Sequence, residues 1–326
     1  MPKCSLKNKL LQLRVSVCVL SILCLITIIQ FFSLFGRYNY AHIPIEDIKN
    51  ELYTEINPNL ALKKSKPDCT YDTILNSKNT LNAWDVPQKY DDFIPVGVVN
   101  GSHVPENCNP LFSVAILVTY RNRQSQLDTF LPYIHSFLRK QNLHYKIYLI
   151  EQQDESIWNK GVLYNIGAKA AMADKFPCLI LHDIDLLPLV ESNLYVCTKQ
   201  PRHMSASIDK FRYVLTYDWL VGGVIAITSE QYKLVNGFSN RFYGWGGEDD
   251  DFSTRITSKG LSIVRYPREM SRYTMLLHQP ERKNDKRLDI MSETIHHSDK
   301  EGLSTVQYRS INRKENRLFT LIGVKL

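Results

Sequence analysis

The sequence lacks three features that would each point to a particular class of protein. It contains no Cys-x-x-Cys pair, which disfavours a structural zinc site. It contains no internal repeat, which argues against a solenoid or propeller. Its net charge of +7 is spread along the 326 residues, so phosphate recognition and proximity to an anionic membrane are favoured over nucleic-acid binding. The remaining interpretation is one large domain with a single core.

An almost uninterrupted apolar run covers residues 15–35 and is long enough to cross a bilayer as a helix. Basic residues at positions 3, 7, 9 and 14 precede it, and only Arg37 closely follows, which predicts a cytoplasmic N-terminus. The alternative is a cleaved signal peptide, but no small-residue cleavage site precedes Gly36. The run is therefore interpreted as a retained anchor.

The residues after this run are polar, with scattered charges and two prolines, as in a stem that holds a domain away from a membrane. The sequence thus predicts a cytoplasmic tail over residues 1–14, a transmembrane signal anchor over 15–35, a luminal stem over 36–66 and a luminal folded domain over 67–326.

The cysteines fall into two groups, those of the tail and apolar run and those of the predicted luminal part. Cys4, Cys18 and Cys24 belong to the tail or the apolar run, which leaves four cysteines in an oxidising compartment. These four allow three pairings, and the sequence alone does not choose among them. They are Cys69, Cys108, Cys178 and Cys197. The sequon Asn100-Gly101-Ser102 predicts N-glycosylation before the first core strand.

Strand and helix patterns alternate through the first half of the folded domain. The apolar spacing predicts strands over residues 113–119, 145–151 and 179–183, and helices over 130–141 and 162–173. Leu131, Ile134 and Leu138 would face inward from the first helix, and Leu163, Ile166 and Ala170 from the second. This order indicates a parallel, nucleotide-binding sheet in an α/β fold.

An acidic run at residues 248–251 follows a glycine-rich segment that begins at Gly244. Adjacent carboxylates repel one another unless they are paired or bound to a cation. The glycines allow close approach of a ligand, and Trp245 offers a flat apolar face that suits a sugar ring. The combination indicates a sugar site with an acid or base residue. The alternative is a solvated acidic turn at the start of a helix.

A second motif, Asp183-Ile184-Asp185, ends the apolar strand that begins near Cys178. Ligands of open α/β sheets bind beyond the carboxyl ends of strands, where both carboxylates would emerge. Alternate residues of an extended segment point the same way, so the two can face one cation and its phosphates. The motif therefore predicts a metal and nucleotide role.

These motifs occur in a fixed order with shorter blocks at residues 120–124, 158–160, 165–167, 200–203, 222–224 and 275–278. From about Cys69 to the C-terminus the chain resembles the β-1,4-galactosyltransferase family of Golgi glycosyltransferases (glycosyltransferase family 7). The resemblance implies a GT-A type fold with a mixed central sheet, preceded by a single transmembrane helix. It also implies a single-pass type II Golgi membrane protein with disulfides Cys69–Cys108 and Cys178–Cys197.

The resemblance implies a UDP-sugar donor bound largely by basic and aromatic side chains. Arginine donors match oxyanions in pairs. Trp158 replaces the family's usual phenylalanine, and Lys160 replaces an arginine, which keeps the charge but loses the paired donors. Taken singly, each basic residue has a solvated surface position as its alternative. The implied donor contacts are Arg121, Arg123, Trp158, Lys160, Asp183, Lys210, Gly223, Trp245 and Glu248.

The implied cofactor is Mn²⁺, with Asp185, Met275 and His278 as ligands. The Met-x-x-His spacing predicts a helical turn with both side chains on one face. Methionine is an unusual ligand for a hard ion, and from the residue alone Met275 would be a core side chain. The cation would stabilise the leaving diphosphate.

The resemblance makes Asp249 the general base of a single displacement that inverts the anomeric centre. The segment 279–297 resembles a loop that closes over donor and metal. Leu288 stands where the family often has phenylalanine. The implied acceptor contacts are Tyr217, Leu220, Asp250, Arg287 and Leu288.

One departure bears on the donor sugar. Galactose-specific relatives carry a tyrosine at the place of Leu220, against the C2 substituent of the sugar. An aliphatic residue there resembles invertebrate members that use N-acetylgalactosamine, and the resemblance is closest to those. Replacing one fitted polar contact changes discrimination by a few kcal/mol. A packing change beside Trp219 and Val221 is the alternative.

The resulting expectation is transfer of N-acetylgalactosamine from its UDP donor to the 4-hydroxyl of a terminal β-linked N-acetylglucosamine on a glycoprotein or glycolipid. A galactosyltransferase that uses UDP-galactose is the first alternative. A non-catalytic luminal glycan-binding protein is the second, and an incomplete metal or base set would favour it. The expected partners are the sugar donor, the glycan acceptor and the Golgi membrane, with no nucleic acid.

Overall fold

The computed structural model describes residues 3–34, 39–82, 95–279, 281, 283–294 and 299–326. Its helices are α1 Lys3–Leu34, α2 Ile48–Glu51, α3 Asp72–Leu75, α4 Gln124–Arg139, α5 Lys160–Ala173, α6 Ser229–Leu234, α7 Glu248–Ser258 and α8 Arg287–Thr294. Its strands are β1 Val98–Val99, β2 Ser102–His103, β3 Ser113–Tyr120, β4 His144–Gln152, β5 Cys178–Asp183, β6 Leu186–Pro188, β7 Arg202–His203, β8 Ser207–Ile208, β9 Val224–Thr228, β10 Arg272–Met275, β11 Ser310–Glu315 and β12 Thr320–Lys325.

The central sheet is mixed and has the order β1-β2-β4-β3-β5-β9-β7, with β12 also on β4 and β11 on β12. Strands β4, β3 and β5 are parallel, as the βαβαβ pattern predicts, and β12 runs parallel to β4. Strand β9 runs antiparallel to β5, and β7 runs antiparallel to β9 and therefore in the direction of β5. A smaller sheet, β6-β10-β8, continues from the end of β5. The predicted mixed sheet is therefore confirmed.

Both faces of the central sheet are covered. In β3 the even-numbered residues Val114, Ile116 and Val118 pack with α4 in one apolar cluster. The odd-numbered Ala115 and Leu117 pack with α5 in another. Every residue of β3 is buried because alternate side chains enter different clusters. The carboxyl ends of the parallel strands consequently meet at one edge.

The two predicted helices are present with different bounds. Helix α4 begins at Gln124, earlier than the predicted residue 130, because Leu127 already packs into the core. It ends at Arg139, and Gln141 instead donates from Nε2 to two backbone carbonyls, of Glu191 and Asn193. Helix α5 begins at Lys160 and is capped by the Asn159 side chain. Of its predicted inward residues, Leu163 and Ile166 are buried and Ala170 is half-buried.

The described side chains of helix α1, at residues 11–32, are all exposed. Its segment Leu11–Phe32 is 22 residues long with a mean hydropathy of 2.6, and none of it is buried in the protein. That length and composition suit a membrane span and equally a signal sequence. The predicted anchor falls within this helix apart from Phe35, which lies outside the described residues.

Residues 39–82 pack along the folded domain. Ile48 is almost fully buried beside Tyr266 and Met270, and the Tyr53 N–H donates to the Cys197 carbonyl at 3.0 Å. The region predicted as stem thus contributes buried side chains to the fold.

Both disulfide pairings are confirmed. Cys69 is bonded to Cys108 and Cys178 to Cys197. The exposed Asn100 lies in the turn between β1 and β2, before the first long strand. Its glycosylation stays a prediction.

Candidate active site

A cavity of about 240 Å³ lies at the edge where the parallel strands end. Residues that follow β3, β4 and β5 form one side, and residues at the start of α7 form the other. This is the usual position of a ligand site in an open α/β sheet. The lining residues are Thr119, Arg121, Arg123, Trp158, Lys160, Asp183, Ile184, Asp185, Lys210, Gly244, Trp245, Glu248, Asp249, His278 and Glu281.

Lys160, the first residue of α5, is the electrostatic centre of the cavity. Its Nζ lies 3.0 Å from Asp183 Oδ1 and 3.3 Å from Asp249 Oδ1. Glu248 Oε1 is 3.9 Å away. Burial alone would lower the pKa of the Lys160 ammonium, but attraction from these carboxylates raises that pKa well above its usual value. One fixed cation therefore joins β5 to α7.

Negative charge exceeds positive charge in this cluster. Burial raises the pKa of Asp183, because the charged form loses hydration, although Lys160 opposes the change. Burial likewise raises the pKa of Glu248, and the neighbouring Asp249 charge adds to the effect. The cavity can thus accept further positive charge from a cation or a proton.

A second polar group, the Asp185 corner, lies at the same edge and consists of Asp185, His278 and Arg123. Asp185 Oδ2 lies 2.8 Å from His278 Nδ1 and 3.6 Å from Arg123 Nη1. Burial tends to raise the pKa of Asp185, but His278 and Arg123 outweigh it and the pKa is lowered. The hydrogen bond to Asp185 raises the pKa of His278. The result is an almost buried carboxylate (7 % exposed) beside an imidazole.

Met275 lies beside this corner at the end of a strand, and its side chain packs against the apolar cluster of β3 and α4 and is not part of the described cavity lining. It is the last residue of β10, lies in register opposite Leu186, and is followed by irregular chain. The Leu276 N–H donates to the Asp185 carbonyl at 2.7 Å. The predicted helical turn from Met275 to His278 is therefore wrong, because Met275 ends a strand that pairs with β6 and the residues directly after it form no helix.

The four residues of the acidic run at the start of α7 lie in three environments. Glu248 and Asp249 face the cavity. Asp250 Oδ1 accepts from the Tyr217 hydroxyl at 2.9 Å. Asp251 is buried and pairs with Arg255 Nε at 2.7 Å. The run begins a helix, as the alternative interpretation expects, but Glu248 and Asp251 are buried rather than solvated. That the run forms a sugar site stays a prediction.

Two family models match the chain. The model described as the N-terminal region of glycosyl transferase group 7 matches residues 64–198. The model described as the N-terminal domain of galactosyltransferase matches residues 202–279. Together they cover well over half of the chain and every strand that borders the cavity. The chain belongs to the β-1,4-galactosyltransferase family, glycosyltransferase group 7.

Curated members of this family are similar over most of the folded domain. β-1,4-galactosyltransferase 3 of Rattus norvegicus is 39% identical over 227 residues, which cover 68% of this chain and 58% of that protein. β-1,4-galactosyltransferase 1 of Homo sapiens is 36% identical over 232 residues, covering 70% of this chain and 58% of that protein. The chain thus spans less than two thirds of the length of these relatives.

A solved member of the family has the same fold. The catalytic domain of Drosophila β1,4-galactosyltransferase 7 in complex with xylobiose matches with a TM-score of 0.57 and 27% identity, covering 66% of this chain and 94% of that one. A variant of that enzyme, solved with manganese, UDP-Gal and xylobiose, matches equally well. The predicted GT-A type fold is confirmed.

The Asp185 corner carries side chains that could hold a manganese ion, the ion present in the complex of the Drosophila relative. Asp185 offers a carboxylate oxygen, which suits such an ion, and His278 adds an imidazole nitrogen. Among the described residues, no group of three or more His, Cys, Asp and Glu side chains could hold a metal by itself. The remaining positions would therefore fall to the Met275 sulfur and to bound ligand.

The predicted donor side chains converge, with one exception. Arg121, Arg123, Trp158 and Lys210 all line the cavity, and the Arg121 guanidinium lies 5.3 Å from the Trp158 ring centre. Gly223 is the exception, because it supports the backbone at Asp183 and is not on the cavity lining. Its carbonyl accepts the Asp183 N–H at 3.0 Å, and at φ +99° a Cβ would meet Ser205 Oγ at 2.5 Å.

The predicted acceptor residues lie beside the cavity rather than on its described lining. The Tyr217 ring packs against Trp219, with 5.0 Å between ring centres. Arg287 is close to the glycine turn, since a Cβ on Gly246 would lie 3.1 Å from its Cδ. Leu288 is 68% exposed. Leu220 is half-buried against a small apolar cluster.

Sequence reasoning missed several residues of the site. Thr119, Ile184 and Glu281 line the cavity. Thr119 and Ile184 adjoin motifs that the pattern did identify, whereas Glu281 lies in a charged segment without periodicity. Its Oε1 reaches Arg121 Nη2 at 3.5 Å, a pairing between distant segments that no local signal reveals.

Proposed function

We propose that this chain is a manganese-dependent, inverting β-1,4-N-acetylgalactosaminyltransferase. Its donor is UDP-N-acetylgalactosamine, and its acceptor is the 4-hydroxyl of a terminal β-linked N-acetylglucosamine. The observation that carries the glycosyltransferase assignment is the cavity itself, in which the Lys160 cluster and the Asp185–His278 pair flank one space. Transfer from a nucleotide sugar requires cationic groups that bind the diphosphate and a base that takes the proton of the acceptor hydroxyl.

The chain's own residues account for donor binding. Arg121, Arg123 and Lys210 supply cationic donors for a diphosphate at the carboxyl end of the sheet. Trp158, half-buried beside Arg121, offers a face for the uracil ring. Asp185, Met275 and His278 would hold Mn²⁺. When bound, such a cation supplies positive charge to the departing diphosphate.

Asp249 is the proposed base. The acceptor 4-hydroxyl oxygen forms a bond to the anomeric carbon, the bond from that carbon to the diphosphate breaks, and the hydroxyl proton passes to the Asp249 carboxylate. UDP leaves from the opposite face, so an α-linked donor yields a β-linked product. Asp249 is half-buried, which leaves it reachable by an acceptor, and Lys160 keeps its orientation.

Leu220 supports N-acetylgalactosamine as the donor sugar. A Cβ on Gly222 would lie 2.7 Å from Asp249 Oδ2 and 3.6 Å from Leu220 Cδ1, so the proposed base and Leu220 border the same glycine. An aliphatic side chain at this place lacks the hydroxyl and the bulk of the tyrosine found in galactose-specific relatives. It would leave room for a 2-acetamido group.

UDP-galactose is the second candidate donor. It is favoured by the names of the curated relatives and by the UDP-Gal complex of the Drosophila relative. A non-catalytic glycan-binding protein is disfavoured, because both the proposed base and the proposed metal residues are present.

We further propose a type II arrangement in the Golgi membrane, with the tail, anchor, stem and catalytic domain at residues 1–14, 15–35, 36–66 and 67–326. The apolar exposed length of α1 supports this arrangement. The acceptor would then be a glycoprotein or glycolipid of the secretory pathway.

The decisive experiment measures UDP release by the full chain with Mn²⁺, an N-acetylglucosaminide acceptor, and either UDP-sugar at matched concentration. We expect transfer that chelation abolishes, and a higher kcat/KM with UDP-N-acetylgalactosamine. Leu220→Tyr should shift the preference towards UDP-galactose by about tenfold or more. A wild-type preference for UDP-galactose would overturn the donor assignment, and absence of any transfer would overturn the enzymatic one.

A further inference from the structure

The loop at residues 217–222, which carries Tyr217 and Leu220, is held from beneath by a buried arginine. Arg265 Nη2 donates to the Asp218 carbonyl at 2.7 Å and to the Leu220 carbonyl at 2.9 Å. Arg265 is only 5% exposed. Because both acceptors are backbone atoms, this contact fixes the path of the loop whatever side chains it carries.

A histidine extends the support to the end of the loop. His203 Nε2 lies 3.1 Å from the Gly222 carbonyl, which can only accept, so Nε2 carries the proton. His203 Nδ1 is then free to accept from Arg265 Nε at 3.2 Å. His203 is fully buried. Arg265 and His203 together therefore bind three carbonyls of the 217–222 loop.

Tyr40, which follows α1 by a few residues, contacts Arg265 and the residue after it. Its hydroxyl donates to the Tyr266 carbonyl at 3.1 Å, and its ring centre lies 5.9 Å from the Arg265 guanidinium carbon. It is 6% exposed and packs in one apolar cluster with Ala206 and Leu215. Leu220 packs against that same cluster.

The chain next to Tyr40 contacts the same arginine through its backbone. The Ile43 N–H donates to the Arg265 carbonyl at 2.9 Å. Tyr40 thus contacts the side chain of Arg265, and Ile43 contacts its main chain. A segment that the sequence pattern assigns to a stem consequently reaches the loop beside the proposed base.

We propose that Tyr40 is a positioning residue for sugar selection, acting through Arg265 and Leu220 on the 217–222 loop. The proposal rests on the proposed function, because the loop matters for the donor only if a UDP-sugar binds in the cavity. Removing the ring would admit water beside the guanidinium and remove one wall of the Leu220 cluster. The loop would then sample more positions, and selection between the two donors would weaken.

The test uses the full chain in detergent with Tyr40→Ala, Tyr40→Leu and Tyr40→Phe. The matched control is Tyr71→Ala. Tyr71 is equally buried (5% exposed), and its hydroxyl also donates to a backbone carbonyl, that of Asn142 at 2.9 Å. It packs in the large cluster around β3 and α4 and not in the Leu220 cluster. Each variant is measured for kcat and KM with both UDP-sugars, and for amide hydrogen exchange in residues 217–222.

We expect Tyr40→Ala and Tyr40→Leu to raise the donor KM about fivefold, to bring the ratio of kcat/KM for the two donors closer to one, and to leave kcat within about twofold. Amide exchange in the loop should quicken, and Tyr40→Phe should restore most of the wild-type behaviour. Tyr71→Ala should lower the unfolding temperature without altering the donor ratio.

Two results would overturn the proposal. One is an unchanged donor ratio and unchanged loop exchange in the Tyr40→Leu protein. The other is an equal change in Tyr71→Ala. If the wild-type chain transfers neither sugar, the proposed function fails, and the exchange measurement still decides whether Tyr40 supports the loop.

Discussion

At the residue scale, the proposed chemistry depends on the contact between Asp249 and Lys160. The two Oδ atoms of Asp249 lie 3.3 Å and 3.4 Å from the ammonium, so the carboxylate is oriented but not enclosed. A general base must lie within hydrogen-bond reach of the proton that it accepts, and this contact orients the carboxylate for that role. The same ammonium also contacts Asp183, which connects the proposed base to the strand that precedes Asp185.

Replacing Asp249 with asparagine should separate binding from turnover. Asparagine keeps the shape of the side chain but cannot accept a proton at neutral pH, so we expect kcat to fall by roughly 10²–10⁴. Binding of UDP with Mn²⁺, measured by calorimetry, should change little. Asp250→Asn is the comparison, since Asp250 is engaged by the Tyr217 hydroxyl. Turnover near the wild-type value in Asp249→Asn would transfer the role to Glu248 or Asp250.

Residues proposed to bind a ligand were easier to identify from the sequence than residues that form hydrogen bonds to backbone carbonyls. Arg121, Lys160 and Asp249 belong to sequence blocks with recognisable chemistry, and all three line the cavity. Arg265 and His203 bind carbonyls of a loop that is distant in sequence from Arg265. Which carbonyls lack a partner is decided by tertiary packing, and therefore no local pattern reveals such a support.

At the scale of elements, strand β5 and the segment at residues 193–197 form one unit. Tyr195 OH lies 2.9 Å from His182 Nε2 and 2.9 Å from Tyr273 OH on β10. The Cys178–Cys197 bond closes the other end of this unit. The strand before Asp185 and the strand that bears Met275 are therefore held in register by buried polar contacts.

Removing the two disulfides in separate double variants should distinguish stability from metal binding. The pairs are 19 and 39 residues apart. Loop-closure entropy predicts a loss of about 3 kcal/mol for Cys178→Ser with Cys197→Ser, and of about 4 kcal/mol for Cys69→Ser with Cys108→Ser. Thermal unfolding measures both losses. Only the first variant should need more Mn²⁺ for half-maximal transfer. An equal change in both variants would exclude a link between the Cys178–Cys197 disulfide and the Asp185 corner.

Element types were predicted better than their details. The apolar runs that became β3, β4 and β5 are nearly continuous, as expected for strands buried on both faces. That Met275 ends a strand and does not begin a helical turn was not predictable, because the Met-x-x-His spacing suits a helix as well. Pairing of β10 with β6 decides it, and that pairing joins residues far apart in sequence.

At the scale of the whole molecule, the chain consists of an exposed apolar helix and a folded domain. Parallel order in the centre of the sheet followed from the βαβαβ pattern. The antiparallel β9 and β7, and the return of β12 to β4, did not follow from any local pattern. Strands added at sheet edges are selected by long-range packing, and the family resemblance alone implied a mixed sheet.

Membrane orientation can be tested through the sequon. Asn100 is exposed in the turn between β1 and β2, so an oligosaccharyltransferase could reach it in the unfolded or folded chain. We expect the full chain in cells to resist carbonate extraction and to lose mass on treatment with an N-glycosidase. Asn100→Gln should abolish the mass change without reducing membrane association. A carbonate-soluble, unglycosylated wild type would contradict the luminal orientation.

In the proposed membrane arrangement, the short connection between α1 and Tyr40 limits how far the folded domain can lie from the bilayer. Six peptide units join Leu34 to Tyr40 and span at most about 20 Å. Tyr40 is fastened to the cluster that holds Leu220, so with α1 in the membrane the site is confined to a thin layer above the lipid. Acceptors must enter that layer, and their encounter rate is then governed by lateral diffusion and by the height at which each carrier presents its terminal sugar.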